Sequence, residues 1–195
     1  MSPDTSLIDP QSAALLIMDY QPAILAHLDD SEQLLERSSA AIALARQNGI
    51  AVSFARVAFA DGDYAQIPER NKMFAGIAQV RGMPHEAPET QVHDRLEPEP
   101  GDIVVRKTRV GAFSTTDLGE QLEARGVDTL ILAGITTSGV VLSTVREAAD
   151  LDYRIYVLSD ASADRDPDLH EVLAEKVLPT QAQVITVEDL PGLIA

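Results

Sequence analysis

The sequence predicts an α/β protein built on a three-layer, doubly wound, six-stranded parallel sheet. Two observations predict it. Short, continuous apolar runs recur along the chain, as expected of strands buried on both faces by helices. Between them lie stretches with helical spacing and helix start and stop signals, so strands and helices alternate. A length of 195 residues with 45% apolar content suits one domain over residues 1–195 with a core on both sides of a sheet.

Ala13 to Met18 (AALLIM) is the first such run and ends abruptly at Asp19. Asp30 with Gln33 can form a capping box, Leu34, Ala41, Ile42 and Ala45 share a helical face, and Gly49 is placed to stop that helix. Ile50 to Phe59 then reads as a second strand. From Ala60 to Gly101 the texture changes to prolines, glycines and charges without sustained period, which predicts a long loop excursion of the kind that covers a site. The alternation resumes with strand Ile103 to Arg106, a helix around Asp117 to Arg125 stopped by Gly126, and strand Thr129 to Ala133. Helix Ser138 to Leu151, strand Ile155 to Leu158, a helix at Pro167 behind Asp166, and strand Ala182 to Val187 complete the pattern.

In such a sheet ligands bind outside the carboxyl ends of the strands, near the switch in strand order. The residues there are Asp19 to Gln21, Asp61 to Asp63, Lys107, Gly134 to Gly139 and Asp160. Asp19 follows large apolar residues, so a partly desolvated carboxylate with a raised pKa is expected; an Asp capping the next turn is the alternative. Lys107 holds the corresponding place after the third strand, either beside that carboxylate or simply solvated. Gly134-Ile-Thr-Thr-Ser-Gly139 leads from a strand into a helix, where backbone N–H groups gather and suit an oxyanion, and where Thr137 or Ser138 can serve as N-cap. The loop lacks the glycine spacing of a dinucleotide fingerprint and the Gly-Lys-Ser/Thr of a phosphate loop, so no NAD or ATP is expected, and no other cofactor.

Three segments carry a resemblance. Asp19-Tyr-Gln21, Lys107-Thr-Arg-Val-Gly-Ala-Phe113 and Gly134-Ile-Thr-Thr-Ser-Gly-Val-Val-Leu-Ser-Thr144 resemble the isochorismatase-like cysteine hydrolase superfamily, over nearly the whole chain. The resemblance implies a Rossmann-like fold of that type, with Asp19 as acid/base and Lys107 as its electrostatic partner. It also implies a non-proline cis peptide before Thr136 that helps form an oxyanion hole. On the same basis Ile135, Thr136, Gln21 and Phe113 are assigned to oxyanion or substrate binding, and a homodimer or homotetramer is expected.

The chain departs from that family at the nucleophile. The motif puts Val140 where the cysteine belongs, and the sequence contains no cysteine at all. Thiol-based amide hydrolysis is therefore excluded. Thr136, Thr137, Ser138 and Ser143 are nearby hydroxyls, yet a hydroxyl needs an activating base, and no Ser-His-Asp arrangement is evident. True isochorismatases resemble this pattern, keeping aspartate and lysine without the cysteine, and hydrolyse a vinyl ether by protonation. That implies Asp19 as proton donor, with Lys107 and Arg70 receiving carboxylates of a small-molecule substrate. The aromatic and histidine that isochorismatases carry at Thr136 to Ser138 are absent. A catalytically silent relative, kept for small-molecule binding or assembly, is the alternative reading of Val140.

Charge and residue usage exclude other classes. A net charge of −16 repels nucleic acid and anionic membranes. No thiolate metal site or disulfide is available, and His27, His85, His93 and His170 are scattered without ligand spacing, so no metal is expected. Met1 to Gln11 lacks a basic cluster and apolar run, so no secretory signal and a cytoplasmic location are expected.

Overall fold

The structure, a computed structural model, describes residues 7–195. The reading of Met1 to Ser6 as part of an N-terminus without a signal lies outside them.

Alternating apolar runs and helices fold as their pattern dictates. In chain order the elements are β1 (Ala13–Met18), α1 (Pro22–Leu25), α2 (Ser31–Asn48), β2 (Ala51–Val57), α3 (Asp61–Tyr64), α4 (Ala75–Val80), β3 (Ile103–Lys107), α5 (Leu118–Glu123), β4 (Thr129–Ile135), α6 (Leu142–Asp150), β5 (Arg154–Ala163), α7 (Pro167–Val172) and β6 (Gln183–Ile185). The six strands pair in parallel in the order β3-β2-β1-β4-β5-β6, so the strand order reverses between β1 and β4.

Side chains alternate across a strand, and β1 sends them into two different cores. Leu15 and Ile17 pack with Phe54, Ile131 and the Leu35, Ala41 and Ala45 face of α2. Leu16 and Met18 pack with Val105, Leu132, Leu118 and Leu122 of α5 and Val145 and Ala148 of α6. The sheet is thus the middle of three layers, and all six residues of β1 are buried. The excursion after β2 carries its own cluster of Val57, Phe59, Tyr64, Ile67 and Phe74, stitched to β2 by the Phe59 N–H donating to Met83 O and the His85 N–H donating to Phe59 O.

Several boundaries differ from expectation for identifiable reasons. Gly49 ends α2 in the left-handed region at φ 75°, as its placement predicts. Asp30 precedes α2 but makes no side-chain cap: its ψ of 46° is far from the extended geometry that aims an N-cap carboxylate at the first turn. The expected helix from Ser138 opens instead as a π-turn over Thr137–Val141, with the Val141 N–H reaching back to Thr136 O. β5 runs through Asp160 to Ala163, where a loop is expected, because its pairing with β4 jumps register between Leu132 and Gly134 and resumes at Ser162.

Gly134 occupies a tight place at this junction. A Cβ there would lie 3.0 Å from Val141 Cγ2, 3.1 Å from Met18 Cβ and 3.2 Å from Val140 Cγ1. The π-turn therefore rests directly on the β1–β4 switch point. Gly134→Ala should lower stability by about 1–3 kcal/mol through this overpacking, read as a fall in the urea midpoint at constant slope. An unchanged midpoint would contradict the close approach.

Candidate active site

Lys107 and Asp19 stand two strands apart in the sheet, with β2 between them. At about 4.8 Å per strand the separation is close to 10 Å, more than a carboxylate can span alone. Lys107 closes most of it with its long side chain, being paired in register with Val57 at the end of β2. Asp19 closes the rest by its backbone: its N–H continues the ladder to Ala55 O at 2.8 Å, and its φ of 60° turns the side chain away from the strand's alternation. A non-glycine residue in that region costs roughly 1–3 kcal/mol, which the surrounding structure has to offset. The result is Lys107 Nζ at 2.8 Å from Asp19 Oδ2, with the two side chains only 2% and 7% exposed.

The pair's electrostatics are set by burial. Desolvation pushes the Asp19 carboxyl up from its ordinary 3.8, and the attraction and hydrogen bond of Lys107 oppose the shift without cancelling it. The ammonium also donates to Arg109 O at 3.2 Å. Asp19 Oδ1 is buried with no hydrogen-bond partner among the described residues. A folded-state pKa above that of the unfolded chain means that folding takes up a proton here. That contribution to stability is complete below 3.8 and is lost as pH rises through the folded value.

Asp19 and Lys107 open onto a cavity of about 270 Å³ at the switch point. Ile135, Thr136, Gly139 and Val140 form one wall, and Ile24 of α1 with Phe74, Ile77 and Met83 of the excursion form another. The Ile135–Thr136 peptide is cis. Thr136 Oγ1 sits over Gly139, 2.7 Å from where a Cβ there would be, so only glycine fits beneath it. The turn's N–H groups are partly committed: Ser138 donates to Asp164 Oδ2 at 2.7 Å and Gly139 to Thr136 O at 3.2 Å.

Three residues assigned to the site from sequence lie elsewhere. Gln21 is fully buried, but its Nε2 donates to Val57 O and Thr90 O while its Oε1 accepts from Val57 N. All its near hydrogen-bonding capacity braces the ends of β1 and β2 and the excursion. Phe113 faces Tyr153 at 5.9 Å and packs with the α5 and α6 core, outside the cavity. Arg70 is exposed and takes no part in the lining. Asp61 and Asp63 are likewise engaged away from it, paired with Arg81 and Arg106. Asp160, inside β5, accepts from Val187 N and lies 3.6 Å from Arg37.

Other residues come into view only in three dimensions. Arg165, just beyond β5, lines the cavity and has no hydrogen bond or ion pair among the described residues. His27, at the end of the turn after α1, lines it too. His170 was given no role by its surroundings in sequence, yet its Nδ1 lies 2.7 Å from Thr137 Oγ1. Burial lowers the His170 pKa against the opposing pull of Asp164, so the neutral ring ties α7 to the π-turn. Thr137 is fully buried and does not line the cavity, so this hydroxyl–imidazole pair does not present a nucleophile to it. One signal for Arg165 was available: it is a single cation amid Asp164 and Asp166, directly after a strand.

Carbon-13 titration of the Asp19 carboxyl should give a pKa above the ordinary carboxylate value, and Lys107→Met should raise it further by removing the opposing charge. A wild-type value at or below the ordinary one would contradict the dominance of burial.

Comparison with known proteins agrees with this geometry. An isochorismatase domain model matches residues 13–189. The isochorismatase family protein YwoC of Bacillus subtilis is 34% identical over 190 residues, covering 95% of this chain and 96% of its own. The phenazine biosynthesis protein PhzD of Pseudomonas fluorescens is 31% identical over 189 residues, covering 94% of this chain and 86% of its own. An isochorismatase family protein of Burkholderia thailandensis superposes with a TM-score of 0.82 at 27% identity over 97% of both chains. With its sheet order, its buried Asp19–Lys107 pair and these relatives, the chain belongs to the isochorismatase family of hydrolases.

Proposed function

We propose that this chain hydrolyses a vinyl ether of a small, carboxylate-bearing molecule, with Asp19 as the general acid and without any covalent intermediate. The observation that carries the proposal is the state of Asp19: a buried carboxyl with a raised pKa, one oxygen held by Lys107 and the other without a hydrogen-bond partner among the described residues, at the wall of an open, largely apolar cavity. Such a group keeps its proton to higher pH than an ordinary carboxylate and has a free oxygen from which to give it.

Val140 supports the same reading. By the motif it stands where the family's nucleophilic cysteine belongs, and it lines the cavity beside Asp19 as an inert aliphatic surface. Some relatives carry names that point to amide chemistry, such as ureidoacrylate amidohydrolase, 38% identical over 103 residues. Without a thiol that route is closed to this chain, whereas acid catalysis at an enol ether requires only a proton and water.

Asp19 delivers its proton to the terminal vinyl carbon, and the ether oxygen stabilises the resulting oxocarbenium ion. Water adds to the oxygen-bearing carbon of that ion and loses a proton to the Asp19 carboxylate. The hemiketal then collapses: its hydroxyl proton passes to the departing ether oxygen as the C–O bond breaks, giving a ketone and an alcohol. Lys107 holds the carboxylate in place while it is charged. Arg165, unpaired at the cavity wall, replaces Arg70 as the receptor for a substrate carboxylate, an assignment favoured by the need for a local cation in a chain of net charge −16.

The test is release of a 2-oxo acid from isochorismate and simpler enolpyruvyl ethers. Asp19→Asn should lower kcat about 10²–10⁴-fold with the circular dichroism spectrum preserved. A rate unchanged by Asp19→Asn, or binding of these ethers by the wild type with no turnover, would overturn the proposal. The latter would mark a silent, ligand-binding relative.

A further inference from the structure

The loop after β3, residues 108–117, brings more to the site than the lysine before it. Arg109 O accepts from the Lys107 ammonium at 3.2 Å, and Val110 lines the cavity. The loop contains no helix or strand, so its shape depends on where its backbone N–H groups find partners. Two of them find partners on α6. The Ala112 N–H donates to Thr144 Oγ1 at 3.1 Å, and the Phe113 N–H donates to Glu147 Oε2 at 3.3 Å. Thr144 and Glu147 are three residues apart and so share one face of the helix. Ala112 and Thr144 are fully buried, so water cannot replace either group if the bond breaks. Gly111 leaves room for the carboxylate: a Cβ there would lie 2.1 Å from Glu147 Oε2. α6 itself begins where the π-turn that carries Gly139 and Val140 ends. One helix therefore supports both the Val140 wall and the loop beside Lys107.

We infer that Thr144 and Glu147 are positioning residues for the Asp19–Lys107 pair. Neither lines the cavity, so they act through the loop. By holding the Ala112 and Phe113 N–H groups they fix Arg109 O, and Arg109 O fixes the ammonium that bonds Asp19 Oδ2. A lysine ammonium is a compact charge on a flexible stem, so one acceptor alone places it poorly and a second, rigid acceptor sets its direction. The inference rests on the reading of Asp19 as the working acid and concerns what keeps that acid's partner in place.

Carbon-13 titration of the Asp19 carboxyl tests this without any turnover. Thr144→Val removes the acceptor for Ala112, and Gly111→Ala drives the Glu147 carboxylate from its place. Each should raise the Asp19 pKa by about half a unit or more, toward the value in Lys107→Met, because the ammonium that opposes the rise is no longer held against it. Thr144→Ser and Glu147→Gln keep an acceptor oxygen and should leave the Asp19 pKa at its wild-type value. A merely structural role predicts a lower urea midpoint in Thr144→Val and Gly111→Ala with the Asp19 pKa unmoved, and that result overturns the inference. So does a rise in Thr144→Ser or Glu147→Gln as large as in the disruptive variants. If Thr144→Val does not fold, Gly111→Ala and Glu147→Ala carry the same prediction. Absence of vinyl-ether turnover with these shifts intact removes the hydrolase proposal alone and leaves the positioning role standing.

Discussion

The buried contact between Lys107 and Asp19 is the constraint around which the rest of the site is arranged. Reaching across β2 requires that β3 end level with β2 at Val57 and that Asp19 leave β1 in a left-handed conformation. Gln21 secures that strand end by bonding both the N–H and the carbonyl of Val57, and it bonds the carbonyl of Thr90 in the excursion as well. The cover over the cavity and the floor beneath it are therefore fixed by one side chain. Substrate contact is not needed to explain the burial of Gln21.

A buried ion pair is a poor device for stability, since desolving two charges offsets most of their attraction and an apolar pair of similar volume is often as stable. Here the penalty has a use. Burial raises the Asp19 pKa more than Lys107 lowers it, so the carboxyl retains a proton that an exposed aspartate would have lost. The overall charge of −16 acts in the same sense on any acid, but it also repels an anionic ligand. In the proposed reaction Lys107 and Arg165 would answer that repulsion locally, one buried and committed to Asp19, the other at the rim without a partner among the described residues.

The six parallel strands and their layers were legible because apolar runs such as Ala13 to Met18 admit few other placements, and because Gly49 and the Asp166-Pro167 pair mark helix ends by backbone chemistry alone; the order of the strands was not. Asp19 and Lys107 were legible for the same reason: a charge directly after a buried strand has only the sheet's carboxyl edge to occupy. What sequence proximity could not convey was side-chain direction. Gln21 and Phe113 sit within the motifs but turn toward the strand ends and the helical core. Arg70 lies in the excursion read as the cover and Arg165 just beyond β5, and it is the packing of β5 against β4 that carries Arg165 to the cavity. β5 itself was read too short because Ser159 and Asp160 look like a loop, whereas they are retained in the strand by bonds to Ile185 O and Val187 N. The tie between His170 and Thr137 spans 33 residues and has no local signature.

In the proposed reaction the protonated form of Asp19 is the active one. The most direct measurement is the pH dependence of kcat/KM for vinyl-ether hydrolysis, set against the Asp19 pKa from carboxyl titration. A general acid gives a rate that is level in acid and falls as pH rises through that pKa. A rate that instead rises with pH through the same value would show that the carboxylate acts as a base, and would contradict the account.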